Sequence, residues 1–428
     1  MNPAVRPVYA AAAQLARLGA LLAPADGSKL TRTFAARRGI RRRYAEWART
    51  ERIAGRPLLW MHAPSVGEGL QARPVLERLR ARHPALQLAY TFFSPSAERF
   101  AAGLDVDFRD FLPFDTAGDA RAALSALSPK ALVFSKLDVW PVLAREAASR
   151  GVRLGLVSAT LARDSTRGGS VAAMILREAY ARLDAVGAID PDDAERLVRL
   201  GVREGAIEVT GDTRYDQVWA RAAAADRSRP LIAPLVSGRP TIVAGSTWPT
   251  DEAHLLPAFA ACRGNTPAVR LVIAPHEPTP EHLRPIERWA ADDKIPLARL
   301  GAPEAATADV VLVDRVGVLG DLYALADLAY VGGAFHAAGL HSVLEPAAFG
   351  VPVLFGPRHH GTRDAGILLR ADAAASVSGR GQLIEALDHW IRDPDARRAA
   401  GARARAVIEQ GLGAAERSTR LVERLLAD

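Results

Sequence analysis

From Pro57 onward the chain alternates short, continuous apolar runs with stretches of helical periodicity. The runs fall at 58–63, 86–93, 131–135, 153–159, 185–189 and 207–210, then again at 241–245, 269–274, 310–313, 328–332 and 351–355. Helical patterns such as 69–82 and 191–200 lie between them. A strand that is apolar at every position, rather than at alternate ones, is buried on both faces, and the intervening helices supply the cover. The pattern therefore predicts an α/β protein with parallel sheets. The series pauses between 210 and 241, where the charged, Pro-rich stretch 227–240 reads as a linker. The expected architecture is two Rossmann-like, doubly wound parallel-sheet domains facing a cleft, 51–226 and 241–428. An N-terminal amphipathic helical segment, 1–50, precedes them. No repeat of 20 to 50 residues competes with this reading.

Charge is unevenly placed. Residues 1–56 hold twelve Lys/Arg against three Asp/Glu, whereas the remaining 372 hold 43 against 45. The net charge of +7 thus belongs to the N-terminal segment, and the near-neutral body carries no nucleic-acid footprint. Residues 8–24 are apolar but interrupted by Arg17; a spanning helix needs about twenty apolar residues and a signal peptide a small-residue cleavage site. Behind them Arg32, Arg37, Arg38, Arg41, Arg42 and Arg43 are interleaved with Phe34, Ile40, Tyr44 and Trp47. That mixture suits an anionic membrane surface, at about 1 kcal/mol per basic residue. A solvated helix packed on the body is the alternative. The single cysteine, Cys262, excludes an internal disulfide and a Cys-based metal cluster, and its apolar setting predicts a core position.

Doubly wound sheets bind ligands beyond the carboxyl ends of their strands, so the loops there are the places to look for chemistry. W-M-H-A-P-S-V-G-E, residues 60–68, follows one strand and opens a helix. Gly67 allows close backbone approach, and Glu68 in the first turn is stabilised as the anion a general base requires, although acids there also serve as caps. S-K-L-D-V-W-P, 135–141, follows another strand. Its Lys136 and Asp138 serve as site charges or as a structural ion pair, and Trp140 could wall a sugar. T-G-D-T-R-Y-D, 210–216, ends the first half with Arg214, a cation suited to phosphate or carboxylate. In the second half A-G-S-T-W-P, 244–249, offers N–H groups for a phosphate. Gly332, Gly333 and Gly339 precede a helix start, and Glu345 is placed to accept from ribose hydroxyls.

Taken together, S-V-G-E, D-V-W-P, G-D-T-R-x-D, A-G-S-T-W, A-P-H-E-P, V-G-V-L-G-D-L-Y and G-L-H-S-V-L-E-P keep the order and spacing of a known family. The chain resembles, over about residues 55 to 370, the Kdo transferases of lipid A assembly. These are two-Rossmann (GT-B) glycosyltransferases that move 3-deoxy-D-manno-octulosonic acid (Kdo) from CMP-Kdo to a lipid A precursor. The resemblance implies an inverting, metal-independent transfer with no cofactor beyond the donor substrate, on the cytoplasmic face of an anionic inner membrane. It makes Glu68 the catalytic base and puts Ser65, Gly67, Lys136, Asp138, Trp140 and Arg214 on the acceptor and donor side. It assigns Ser246, Thr247, Pro275, His276, Gly317, Gly332, Gly333, Gly339, His341, Ser342 and Glu345 to the nucleotide. Three departures stand out: His276 where Arg is common, and Ser342 and Ser158 where Asn is common. A His is only partly charged near neutrality and lacks the bidentate fork of Arg. A UDP-sugar enzyme of the same fold, or a non-catalytic membrane-associated binding protein, remain the alternatives; donor assays separate the first, and retention of Glu68 in register argues against the second.

Overall fold

The computed structural model describes residues 6–24, 26–161 and 170–427, and the contacts divide the chain into two units. Residues 1–5 of the expected N-terminal segment lie outside the described part. The first unit comprises Met1–Gln217 with Leu412–Asp428, and the second Val218–Gly411.

The first sheet is β1 (Leu58–His62), β2 (Gln87–Phe92), β3 (Phe108–Phe111), β4 (Ala131–Ser135), β5 (Arg153–Ala159), β6 (Ala185–Ala188) and β7 (Ile207–Val209), in the order β3-β2-β1-β4-β5-β6-β7. The second is β8 (Thr241–Thr247), β9 (Arg270–Pro275), β10 (Leu297–Arg299), β11 (Val310–Leu312), β12 (Leu328–Val331), β13 (Val353–Phe355) and β14 (Ala374–Ser376), in the order β10-β11-β9-β8-β12-β13-β14. Every pairing is parallel. Two doubly wound α/β sheets are thus present, as the apolar runs predict. Three strands escaped that pattern: β3, β10 and β14. All three are sheet edges, and F-R-D-F, L-A-R and A-A-S are too short or too polar to read as buried runs. Cys262 lies in the second core as expected, and burial pushes its thiol up to about 12.

The N-terminal segment corrects the sequence reading. Ile40, Tyr44 and Trp47, one face of the helix Ile40–Thr50, are buried in the first core. The Tyr44 hydroxyl donates to the carbonyl of Phe111, and Arg43 grips Asp110 through two nitrogens at 2.7 Å each. Arg37 is buried, donates to the carbonyls of Thr33, Leu112 and Phe93, and lies 4.2 Å over the Phe93 ring. Its guanidinium is pushed down to about 10 by that burial. The aromatic residues 40–50 are core, and Arg37 and Arg43 are structural cations rather than membrane contacts.

The unit boundary also differs from the expected 226/241 division. It falls within the helix Thr213–Ala223, and the stretch 227–240 is seated on the second unit, where Ile232 and Leu235 are buried. The last helix, Ala414–Leu426, returns to the first unit against β5, β6 and the helix Val66–Arg82. Gly155 of β5 leaves the space that Leu425 occupies, and the Asp216 carboxylate accepts from the N–H groups of Gly413 and Ala415 at its start. A strongly amphipathic helix far along the chain carries no local sign of which sheet it covers.

Candidate active site

In each sheet the winding reverses beside its first strand. The chain leaves β1 for β2 and returns on the other side as β4; it leaves β8 for β9 and returns as β12. The loops after such a pair diverge, opening a ligand site at the carboxyl ends.

In the first unit, β1 runs through residues 63–65 into the helix Val66–Arg82, with Ser65 at its N-cap. Glu68 stands in the first turn. Its carboxylate accepts from Ser65 Oγ, and from Lys136 Nζ at 3.2 Å. Lys136 comes from the loop after β4, where its backbone is left-handed at φ +67°, a conformation disfavoured for a residue with a Cβ. Burial pushes the Glu68 carboxyl up, but the Ser65 bond and Lys136 outweigh it and hold it below its usual value. An anion thus bridges the loops after β1 and β4. Gly67 is exposed with only Ser65 Oγ near a would-be Cβ; the close approach is at Gly69, whose Cβ would fall 2.5 Å from the Phe100 ring and 2.6 Å from the Tyr90 hydroxyl.

Two residues beyond Lys136, Asp138 accepts from Trp140 Nε1 at 2.9 Å and lies 3.2 Å from Nε2 of His62, a buried residue that sequence reasoning passed over. Its signal was to be the one polar residue ending the run L-L-W-M-H. Trp140 stacks on Phe93 at 5.4 Å. Arg214 donates to Asp212 through Nε at 2.9 Å and through its terminal nitrogen at 2.7 Å, so its charge is shared with an aspartate rather than left wholly for a ligand. Ser158, left-handed and buried, lies 3.1 Å from the Thr213 hydroxyl, which donates to the carbonyl of Gln71.

In the second unit, the pairing of β8 with β9 slips at Ser246, which is left-handed at φ +55°. Gly332 follows β12, and a Cβ on it would fall 2.3 Å from the Ser246 carbonyl oxygen. Gly333, at φ +97°, would put a Cβ 2.1 Å from the Gly339 oxygen. Only glycine fits either place. The buried Asp251 ties the two loops together: it accepts from the N–H of Trp248 at 2.9 Å, the N–H of Gly333 at 2.8 Å and the Tyr330 hydroxyl at 3.1 Å. Asp251 was missed, although Pro249 at the first helical position with an acid in the first turn is a helix-start signal. Thr247 donates its hydroxyl to Glu252, which also meets His282.

Around this junction the rings pile up. Trp248 stacks on His336 at 4.1 Å and on His276 at 4.9 Å, and His276 stacks on His341 at 4.4 Å. Trp248 Nε1 also donates to His341 Nε2 at 3.1 Å. Burial, and then the neighbouring His276, push His341 down. His276 and Ser342 are exposed, and Pro275 is buried at the end of β9. Gly317 lies in an exposed turn after β11 at φ +90°. Glu345 faces Arg221 at 3.7 Å; burial pushes its carboxyl up and Arg221 opposes this.

Comparison with known proteins agrees with this layout. The family model for 3-deoxy-D-manno-octulosonic-acid transferase (kdotransferase) matches residues 33–217. The 3-deoxy-D-manno-octulosonic acid transferase of Bordetella pertussis is 30% identical over 393 residues, 85% of this chain and 86% of that protein. The corresponding protein of Chlamydia muridarum is 28% identical over 360 residues, 80% of each chain. Among solved structures, UDP-GlcNAc 2-epimerase from Neisseria meningitidis superposes with a TM-score of 0.63 at 14% identity, covering 86% of this chain and 99% of that one; it attests the fold alone.

Proposed function

The chain belongs to the 3-deoxy-D-manno-octulosonic acid transferase family and is a glycosyltransferase, and from that premise we propose that it moves Kdo from CMP-Kdo to a lipid A precursor with inversion and without a metal. The observation that carries this reading is Glu68, an ionised carboxylate at the switch point of the first sheet. Glu68 takes the proton of an acceptor hydroxyl as that oxygen attacks the anomeric carbon, and CMP departs with the electron pair of the broken C–O bond. Ser65 and Lys136 keep the base charged at the cost of basicity. That compromise suits a late proton transfer, from an oxygen already acidified by bond formation.

The second unit holds the nucleotide. Gly332 and Gly333 keep side chains out of the space beside Ser246, and the Trp248 and imidazole faces suit a pyrimidine ring. His276 and Ser342, both exposed, meet the phosphate, and Glu345 meets the ribose.

The acceptor is a membrane lipid. Among the described residues no helix is long and apolar enough to cross a membrane. The helix Arg6–Leu22 instead faces the first unit with polar contacts, Tyr9 to Asp115 and Arg17 to Asp119, and leaves Val8, Leu15, Leu18 and Leu22 between 53 and 88% exposed on its other side. Exposed Arg38 and Arg42 add positive charge for an anionic leaflet, on the cytoplasmic face of the inner membrane, while Arg41 is paired with Asp119.

The test is an assay of the purified protein with CMP-Kdo generated in situ and a tetra-acylated lipid A precursor, products being counted by mass. Addition of Kdo from CMP-Kdo, with UDP-sugars inert, is the expected result. Transfer from a UDP-sugar with CMP-Kdo inert would overturn the donor assignment.

A further inference from the structure

His62 is wholly buried at the end of β1, yet every polar atom of its ring has a partner. Trp60 Nε1 donates to Thr91 Oγ1 at 2.8 Å; Thr91 Oγ1 lies 3.0 Å from His62 Nδ1; His62 Nε2 lies 3.2 Å from Asp138 Oδ2, which also accepts from Trp140 Nε1. The indole N–H can only donate, so the Thr91 oxygen accepts there, and its own proton is available to Nδ1. A carboxylate only accepts, so the ring proton that faces Asp138 sits on Nε2 and is donated to it. The opposite tautomer, with Nδ1–H on the Thr91 carbonyl 3.0 Å away, would set the Nε2 lone pair against a carboxylate. A protonated ring would keep that Nε2–H and add an Nδ1–H toward the Thr91 carbonyl, so the contact to Asp138 is the same in either state.

We propose that His62 is a positioning residue for sugar transfer: through Nε2–H it fixes the Asp138 carboxylate at the acceptor side, in a chain running Trp60–Thr91–His62–Asp138–Trp140. Asp138 and Lys136 share one short loop, so the contact that orients Asp138 also steadies the segment that delivers Lys136 to Glu68. His62 touches no substrate; its effect is exerted through Asp138, on turnover rather than on donor affinity. The inference rests on the Kdo-transfer reading, and the wild-type assay separates the two. If the wild type does not transfer from CMP-Kdo, it is that reading that fails, before any variant is made.

The experiment compares His62→Asn, His62→Gln, Asp138→Asn and the double variant His62→Asn/Asp138→Asn, measuring kcat, the CMP dissociation constant and the melting temperature. A hydrogen bond to a charged group predicts about a 30-fold loss of kcat for His62→Asn. CMP affinity stays at the wild-type value. His62→Gln, whose amide N–H reaches the place of Nε2–H, recovers most of the rate. Asp138→Asn loses at least as much as His62→Asn, and in that background, where only a neutral acceptor is left for Nε2–H, the cost of His62→Asn shrinks to a few-fold. Losses that multiply, equal impairment by Asn and Gln, a fall in CMP affinity alongside kcat, or an Asp138→Asn enzyme as fast as wild type would each overturn the assignment. Thr91→Val keeps the test open where His62 variants do not fold. It removes the hydroxyl that meets Nδ1, and its smaller loss of kcat must shrink in the Asp138→Asn background; a loss undiminished there overturns the proposal.

Discussion

The two sheets wind in the same sense, yet their switch points are furnished differently. Beside β1 and β4 the side chains are charged and paired: Glu68 with Lys136, Asp138 with His62. Beside β8 and β12 the backbone dominates, with Gly332 and Gly333 pressed against neighbouring carbonyls and Trp248 in a stack with three imidazole rings. Each has one left-handed residue bearing a side chain, Lys136 in the first and Ser246 in the second. Topology sets where a ligand goes; the residue types in the two loops set what happens there. In the proposed reaction the first switch point supplies the anion that takes a proton, and the second clears space for a ligand's anion and offers flat faces to a base.

On the nucleotide side that contrast is broken most severely at Gly332. In Gly332→Ala the new Cβ would meet the Ser246 carbonyl at 2.3 Å, a backbone clash costing about 1–3 kcal/mol. CMP affinity should fall at least about tenfold, as calorimetry would register; unchanged affinity would remove the glycine turn from the donor site. Trp248→Leu should weaken CMP by several-fold through the lost stacking, with kcat at saturating donor retained. A loss confined to kcat would instead put the ring stack with the chemistry.

The pH dependence sharpens the first switch point. Glu68 sits below its usual carboxyl value because Ser65 and Lys136 outweigh burial, so it is ionised above that lowered value and protonated below it. Removing Lys136, as in Lys136→Met, must raise that value and move the acid limb of kcat/KM to higher pH. An unmoved limb would sever Lys136 from the base. The smallest effect on catalysis is expected at the exposed row: Leu15, Leu18 and Leu22 all changed to Ser should release the protein from anionic vesicles while leaving transfer to a detergent-dispersed acceptor within about twofold. Undiminished vesicle binding would put the membrane contact elsewhere. Removing residues 1–50 would be a poor substitute, because it takes Tyr44 and Trp47 out of the core.

The sheets were legible because central strands, buried on both faces, are apolar at every position. The edges β3, β10 and β14 were not, since an edge strand has one covered neighbour and tolerates Arg and Asp. Interleaved arginines and aromatics looked alike for a membrane face and a core helix, and only the partners of Arg37, Arg43 and Tyr44 separate the two. At the site, residues in the loops beyond strands were legible by position, Glu68 above all. Those that act by holding others were not: His62 and Asp251 are joined to their partners across tens of residues, and spacing carries no trace of such contacts.

The division of labour is tested most directly by Glu68→Ala, with transfer at saturating CMP-Kdo and acceptor measured alongside the CMP dissociation constant. Loss of a general base predicts a fall in rate of about a thousandfold with CMP affinity unchanged. Transfer at a near-normal rate would take Glu68 out of the mechanism and leave the first switch point without its chemistry.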